Sequence, residues 1–122
     1  MVDVRDIPPE VAARVMAGLS HLDPRGLMTE DDVLPTCHHG RCIAVKGEGG
    51  AGAAVLIEQN GVVWVEAFKA EGASAGLSED LDAELCKSGA KAIAFMTKRR
   101  GLVRRAERLG YHVAGYVMTK EI

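Results

Sequence analysis

The sequence predicts an α+β fold in which helices cover both faces of a mixed central sheet. Two observations support this class. Apolar residues in the first part of the chain recur at helical spacing, and two later apolar runs flank Asn60-Gly61, the strongest two-residue signal for a β-hairpin. The predicted order is strand, helix, helix, strand, hairpin, helix, strand, helix, strand. Because the chain has 122 residues, no internal repeat and no long linker, we expect one domain over residues 1–122.

The first predicted elements are a strand and a helix. Val2 to Arg5 alternate in polarity, as a short strand does, and Pro8-Pro9 suit the first turn of a helix. Val11, Val15, Leu19 and Leu22 recur at helical spacing, with Ala12 and Met16 beside them, so one face of this helix is expected to be apolar.

A second, short helix is predicted after the break at Asp23-Pro24-Arg25-Gly26. Thr29, with Asp32 three residues later, has the pattern of a capping box that begins a helix. Pro35 should stop this helix, because proline lacks an amide donor and clashes with the preceding turn. Cys37 to Gly40 are then expected to form a loop.

The middle of the chain predicts three strands. Cys42 to Lys46 form the first, and the four glycines between Gly47 and Gly52 predict a turn or a mobile segment. Ala53 to Gln59 and Val62 to Lys69 then form the two long antiparallel strands of the hairpin.

The junction after the second hairpin strand is the best candidate for a binding site. Gly72 and Gly76 permit close approach of the backbone, Ser74 offers a hydroxyl group and a helix N-cap, and Lys69 adds positive charge. Free amide groups at a helix N-terminus attract anions, so the pyrophosphate of a cofactor can bind on this turn. The alternative is a plain strand-to-helix turn without a ligand.

At this junction the chain resembles the GCN5-related N-acetyltransferase family. The acetyl-CoA loop of that family reads Arg/Gln-x-x-Gly-x-Gly/Ala with a leucine three residues later, and this chain has Lys69, Gly72, Ser74 and Leu77. Gly89 lies 89 − 77 = 12 residues beyond Leu77, about where the family ends its helix. The resemblance covers about the last sixty residues.

Later segments agree with the resemblance. The strand Ala92 to Met96, the helix end Leu109-Gly110-Tyr111 and the final Met118 to Lys120 look like the last strands and the last helix of the family. The resemblance therefore implies an acyl-CoA N-acyltransferase-like mixed sheet. The family commonly closes with two strands, but only His112 to Ile122 remain here, so the C-terminal sheet edge should be short or completed by a second subunit in a homodimer.

The resemblance also implies that acetyl-CoA is the cofactor. The phosphate cradle would consist of Lys69, Gly72, Ala73, Ser74, Ala75 and Gly76. The strand backbone at Ala67 and Phe68 would pair with the pantetheine arm like an added strand. The basic segment from Lys98 to Arg108 is either a solvated helix face or a patch that meets the 3′-phosphate of CoA or an acidic partner. Arg99 and Arg100 are the candidate contacts for the 3′-phosphate.

Glu66 is the candidate general base. It interrupts an apolar strand, and partial desolvation beside a cofactor cleft would raise its basicity enough to deprotonate an amine. The alternative is a strand-rim carboxylate on the same face as Trp64 and Phe68, paired with a basic side chain.

The general acid is missing from its usual position. Many family members place a tyrosine four residues before the helix-ending glycine, to protonate the departing thiolate, and that position is Ala106. Tyr116 remains as a candidate acid, whereas Tyr111 occupies the place of a packing aromatic; His112 is the nearest imidazole to the last strand. Without the acid, the thiolate can take a proton from water at some cost in rate.

The segment Cys37-His38-His39-Gly40-Arg41-Cys42 has zinc-compatible side chains but the wrong spacing for a structural site, so no metal site is predicted. We expect Cys42 to start a buried strand. His38 and His39 should face solvent or the acceptor cleft.

The composition argues against nucleic acids and membranes as partners. The formal charge is 15 − 17 = −2, so we do not expect a nucleic-acid partner. Three cysteines suit a reducing compartment, and the sequence has neither a signal-like N-terminus nor the roughly 18 apolar residues that span a membrane. A cytoplasmic protein without a membrane partner is expected.

Two functions agree with these features. The first is an N-acetyltransferase that uses acetyl-CoA and acts on a small-molecule or protein amine. The second is a non-catalytic binding or assembly protein of the same fold, similar to compact acetyltransferase-like proteins of bacteriophages and prophages, that has lost the general acid.

Overall fold

The fold is a mixed five-stranded sheet with helices on both faces. A computed structural model describes residues 3–17, 29–48, 50–71, 76–97 and 99–122. In chain order the elements are β1 Asp3–Asp6, α1 Pro9–Met16, α2 Glu30–His39, β2 Arg41–Gly47, β3 Gly50–Gln59, β4 Val62–Glu71, α3 Leu77–Cys86, β5 Ala92–Phe95 and α4 Arg100–Arg108. The strands follow the order β1-β2-β3-β4-β5, and all neighbours are antiparallel except β4 and β5, which are parallel.

The core has two layers, one on each side of the sheet. Helices α1 and α2 pack on one face through Ala12, Ala13, Met16, Val33 and Cys37, against Cys42, Ala53, Val55 and Ala67 of the strands. Helix α3 packs on the other face through Leu77, Leu81 and Leu85, against Ile43, Val45, Ala54, Leu56 and Val63. These two layers confirm the predicted fold class.

The first strand and helix lie close to their predicted positions. Strand β1 begins at Asp3, and Pro9 occupies the first turn of α1 as expected. The predicted apolar face of α1 is confirmed at Ala12 and Met16, which are buried, and Val15 is half-buried, but Val11 is exposed. Ala13 is buried beside them. Small side chains let the helix approach the sheet closely. Val2, Leu19 and Leu22 lie outside the described residues.

Helix α2 corrects two predictions. Its start is as expected, because the backbone N–H of Thr29 donates to Asp32 Oδ2 at 2.6 Å. However, the helix continues through Pro35 to His39, so the predicted stop and the predicted loop at Cys37 to Gly40 are both wrong. Burial of Val33 and Cys37 on the same side of α2 stabilises the helix beyond the proline.

The hairpin between β3 and β4 is confirmed. Asn60 has φ 54° and Gly61 has φ 81°, and two successive positive φ values define the type I′ turn that matches the twist of paired strands. Strand β2 extends the prediction by one residue at each end. The turn or mobile segment predicted for Gly47 to Gly52 is wrong for Gly50 to Gly52, because these residues form the start of β3 and pair with β2.

The C-terminal end differs from the prediction. Helix α4 ends as expected, with Gly110 at φ 97° and the N–H of Tyr111 bonded to the carbonyl of Ala106 at 3.1 Å. The predicted strand at Met118 to Lys120 is wrong, because residues 111–122 form neither strand nor helix. Strand β5 therefore lies at the edge of the described sheet. Among the described helices, none has the length and apolarity needed to cross a membrane.

Candidate active site

A β-bulge at Glu66 interrupts the pairing of β3 with β4. Val55 pairs with Ala67, but the next residue of β3, Leu56, pairs with Val65. Glu66 is therefore the extra residue on β4, opposed by no residue of β3. A bulge bends its strand and increases the local twist, so β4 changes direction at this residue.

The pairing of β4 with β5 ends at the same point. The last pair of the parallel ladder is Val65 with Phe95, after which β5 ends and β4 continues for six residues, from Glu66 to Glu71. In the described structure, the β5-facing edge of this segment has no strand partner. We call the unpaired β5-facing edge of Glu66–Glu71, together with the chain that leaves β5, the β4–β5 gap.

The bulge also changes the face of the sheet on which the side chains of the predicted site lie. Val63 and Val65 face the α3 layer, and beyond the bulge Phe68 faces that layer too, while Ala67 is buried in the layer of α1 and α2. The structure thus contradicts the simple alternation that places Glu66 on one face with both Trp64 and Phe68. Glu66 itself is exposed at the bend, so the expected desolvation of its carboxylate is absent.

The start of α3 lies close to the far end of β4. A Cβ atom built on Gly52 of β3 would lie 2.5 Å from the carbonyl oxygen of Lys69 and 3.1 Å from Leu77 Cδ2. Because Gly52 has no side chain, the half-buried Lys69 and the first residue of α3 both lie close to its backbone. Gly76 is the N-cap residue of α3 and is exposed. The predicted cradle residues between these points, Gly72, Ala73, Ser74 and Ala75, lie outside the described residues.

Both positive and negative groups contribute to the electrostatic potential at the start of α3. The helix N-terminus and Lys69 favour an anion. Glu79 and Asp80 place two carboxylates in the first turn, where they are favourable for the helix but oppose a bound phosphate. An anion here would depend on backbone amides and Lys69, and not on a strongly positive surface.

The start of α4 follows the end of β5. Arg99 is the N-cap residue, and its backbone N–H donates to Thr97 Oγ1 at 3.1 Å. Arg99 and Arg100 are both exposed. The structure thus puts these two predicted contacts just beyond β5, at the helix end whose dipole favours anions. Ala106, in the position of the family's acid, is buried.

Tyr116 and Tyr111 differ sharply in environment. The Tyr116 side chain is 91% exposed, so the structure does not place it in a cleft. Tyr111 is half-buried, and its hydroxyl donates to Asp82 Oδ1 of α3 at 2.6 Å. Burial, followed by the hydrogen bond to Asp82, raises the pKa of Tyr111, which keeps the phenol protonated. The packing role expected for Tyr111 is confirmed, and His112 is exposed.

The zinc-compatible residues are divided between the core, which contains the cysteines, and the surface, which contains the histidines. Cys37 and Cys42 are buried, and the Cys42 thiol donates to the carbonyl of Cys37 at 3.2 Å. His38 and His39 are exposed, as expected, and His38 Nε2 lies 3.8 Å from a carboxylate oxygen of Glu10. In the described residues, no group of three or more His, Cys, Asp or Glu side chains is arranged to hold a metal ion.

Three solved structures superimpose on the chain although they are distant from it in sequence. An acetyltransferase of Trypanosoma brucei superimposes with a TM-score of 0.60 at 14% identity, over 100% of both chains. Glucosamine-6-phosphate N-acetyltransferase from Arabidopsis thaliana gives 0.55 at 11% identity, over 99% of this chain and 98% of that one. The aminoglycoside N-acetyltransferase AAC(6')-Iy, in complex with CoA, gives 0.56 at 16% identity, over 100% and 95%.

These similarities define the class of fold. The sheet order, the parallel β4–β5 pair and the helices on both faces are those of the acyl-CoA N-acyltransferase fold. The chain thus shares its fold with these acetyltransferases at sequence identities of 11% to 16%. No protein-family model matches the sequence, and a search of curated proteins gives no match.

Proposed function

We propose that the chain binds acetyl-CoA along the β4–β5 gap and catalyses transfer of the acetyl group to a primary amine. The observation that carries this proposal is the unpaired edge of β4 from Glu66 to Glu71. Exposed main-chain N–H and C=O groups on a strand edge bind an extended chain through the hydrogen bonds of an added strand. The pantetheine arm of CoA carries amide groups that suit such an edge.

The residues at the two ends of the gap suit the rest of the cofactor. Ala67 and Phe68 would provide the main-chain groups for the arm. Lys69 and Gly76, with the segment between them, would hold the pyrophosphate, and Arg99 with Arg100 would contact the 3′-phosphate. The complex of AAC(6')-Iy with CoA supports an acyl-CoA ligand for this fold.

Glu66 would perform the proton transfer. Acetyl-CoA, when bound, supplies the acetyl group as an activated thioester. An amine attacks only in its neutral form, so a carboxylate at the bend of β4 would accept the ammonium proton before or during attack. The exposure of Glu66 suits relay of this proton through water. The thiolate would take its proton from water or from Tyr116, because Ala106 has no proton to give.

The proposal is tested by calorimetric titration with acetyl-CoA. In the described structure a Cβ atom on Gly76 meets nothing within 4 Å, so Gly76→Ala leaves the fold intact and changes affinity only if a ligand approaches this backbone. We expect micromolar binding that weakens about tenfold or more in Gly76→Ala. Gly115→Ala is the matched control, since its Cβ atom also meets nothing, and it should bind normally.

Measurement of kcat tests the role of Glu66 as the general base. Glu66→Gln should lower kcat about 100-fold with unchanged affinity for CoA, within the range expected for loss of a general base. Glu58→Gln, on the neighbouring strand β3 and also exposed, should have wild-type activity. Equal activity of both variants would remove Glu66 from the mechanism.

A non-catalytic binding or assembly protein of the same fold is the second candidate. The buried Ala106 and the two carboxylates in the first turn of α3 favour it. Under this alternative, acetyl-CoA gives no heat of binding and no amine is acetylated. The same titration therefore separates the two functions.

A further inference from the structure

Cys37 and Cys42 form a buried pair at the junction of α2 and β2. Cys37 lies in the last turn of α2, Cys42 is the second residue of β2, and both side chains belong to the same core layer. The two residues are only 1% and 4% exposed. The function proposed above uses neither thiol, so this pair of oxidisable groups has no role in it.

The two thiols are hydrogen-bonded to each other and to the end of α2. The Cys42 thiol donates to the main-chain carbonyl of Cys37 at 3.2 Å. This carbonyl lies in the last turn of α2, where carbonyls lack helical donors, so the thiol caps the helix. The Cys37 thiol bonds in turn to the sulfur of Cys42. The two sulfur atoms are therefore neighbours that a disulfide can join after a small shift of the chain between them.

The chain between the two cysteines packs tightly on β3. A Cβ atom built on Gly40 would lie 2.6 Å from the main-chain oxygen of Leu56 and 2.9 Å from Val55 Cγ1. Val55 and Leu56 are the residues between which the register of β3 changes, opposite the bulge at Glu66. Because there is no free space between Gly40 and β3, a shift of Gly40 changes the position of β3 at the bulge.

We propose that Cys37 and Cys42 are a redox switch, in which a hydroperoxide converts the two thiols into an intramolecular disulfide and the new bond shifts β3 opposite Glu66. The disulfide closes a short loop that contains Gly40, and it removes the S–H group that caps α2. Disulfides that form in reducing compartments are usually transient and catalytic or redox-sensing. The inference does not depend on the binding of acetyl-CoA.

The oxidation takes place in two steps. The Cys42 thiolate attacks the hydroperoxide and breaks its O–O bond, which gives a Cys42 sulfenic acid and an alcohol that receives the thiol proton. Cys37 then attacks the Cys42 sulfur, so that the S–S bond forms, the S–O bond breaks and hydroxide leaves as water with the Cys37 proton. The two electrons lost by the thiols reduce the hydroperoxide. Burial raises the pKa of Cys42, although the bond from Cys37 partly offsets this, so the switch requires sustained oxidation at neutral pH.

Peptide mapping tests the disulfide. The exposed Cys86 is replaced by Ser, and the folded protein is treated with hydrogen peroxide. Trypsin cleaves after Arg41, between the two cysteines, so the disulfide joins peptides 26–41 and 42–46. We expect the linked peptides as the main product after oxidation, and their separation by dithiothreitol. The inference is overturned if they are absent although the peroxide has oxidised the exposed Met96 to its sulfoxide.

Amide NMR spectra test the effect on the bulge. Oxidation should shift the resonances of Gly40, Leu56 and Glu66, and dithiothreitol should restore them, whereas methionine sulfoxide requires a dedicated reductase. Cys37→Ala is the matched control, because it retains the Cys42 thiol but cannot form the disulfide, and it should show no reversible shifts. Linked peptides with reversible shifts confined to residues 37–42 would also overturn the inference, because the disulfide would then leave the bulge unchanged.

Discussion

The hydroxyl of Tyr111 donates a hydrogen bond of 2.6 Å to Asp82 Oδ1, across 29 residues of sequence. The same ring packs on Phe95, so one side chain connects the end of α4 to α3 and to the last residue of β5. These three elements follow β4 in the chain, and α3 and β5 border the ends of the β4–β5 gap. Tyr111 therefore contacts both α3 and β5, in addition to the packing of α3 on the sheet and the pairing of β5 with β4.

Replacement of Tyr111 by Phe should destabilise the protein. The ring contact with Phe95 remains, but the half-buried Asp82 loses its donor, and the expected loss is about 1 to 3 kcal/mol in the free energy of unfolding. Tyr116→Phe is the matched control, because its exposed hydroxyl bonds to no described residue. Urea unfolding of the two variants measures the difference. Equal stability would show that water replaces the Tyr111 hydroxyl without cost.

Stability should fall above pH 9 because of Cys37. Burial, followed by the neighbouring Cys42 thiol, raises the pKa of Cys37 from 9.0 to about 11. In the unfolded chain the thiol loses its proton near pH 9, whereas the folded state keeps it to about pH 11. The stabilising contribution is complete below pH 9 and is lost as the pH rises to 11, by about 1 kcal/mol between pH 9 and pH 10.

Cysteine variants check this assignment. Cys37→Ala should make the free energy of unfolding fall less steeply between pH 9 and pH 10. Some pH dependence should remain, because burial also raises the pKa of Cys42. Cys86→Ser should leave the slope unchanged, because Cys86 is exposed. An unchanged slope in Cys37→Ala would contradict the assignment.

Replacement of Pro35 by Ala should stabilise the protein. Pro35 lies inside α2, where it removes the hydrogen bond to the carbonyl of Asp31, and alanine restores that bond. We expect a gain of about 1 to 3 kcal/mol in the free energy of unfolding. Pro9→Ala is the control, since Pro9 occupies the first turn of α1 and its missing N–H has no helical acceptor; a change within about 0.5 kcal/mol is expected. A neutral or destabilised Pro35→Ala would show that the proline fits α2 without strain.

Two glycine substitutions should have opposite effects. Gly52→Ala brings a Cβ atom to 2.5 Å from the main-chain carbonyl of Lys69, which cannot move without displacing β4, and it should cost about 1 to 3 kcal/mol. Gly101→Ala meets nothing within 4 Å of the described structure and lies within α4, so it should add about 0.5 to 1 kcal/mol. Thermal unfolding compares the two. Similar effects would mean that β3 and β4 have room at Gly52.

The sequence predicted most of the fold because its main signals are local. Asn60-Gly61 determines the hairpin turn through its own φ values, and Thr29 with Asp32 marks the start of α2 within one turn. The predicted helix stop at Pro35 was wrong, because the free-energy cost of a proline inside α2 is outweighed by burial of α2 against the sheet.

The geometry of the candidate site was less predictable. The bulge at Glu66 arises from the register of two strands, and no residue type signals it in advance. The bond between Tyr111 and Asp82 joins distant segments, so neither residue has a local pattern that indicates the other. Glu66 itself was identified by its polarity within an apolar strand, but its exposure depends on the bulge.

Hydrogen exchange of β4 with and without CoA tests whether the β4–β5 gap is the acyl-CoA site. We expect CoA to slow amide exchange in Glu66 to Lys69, where the strand edge is unpaired, and in the first turn of α3. Exchange in Val62 to Val65 should remain unchanged, because β5 already pairs with these residues. Binding of CoA with protection elsewhere, and none in Glu66 to Lys69, would contradict the assignment of the β4–β5 gap as the acyl-CoA site.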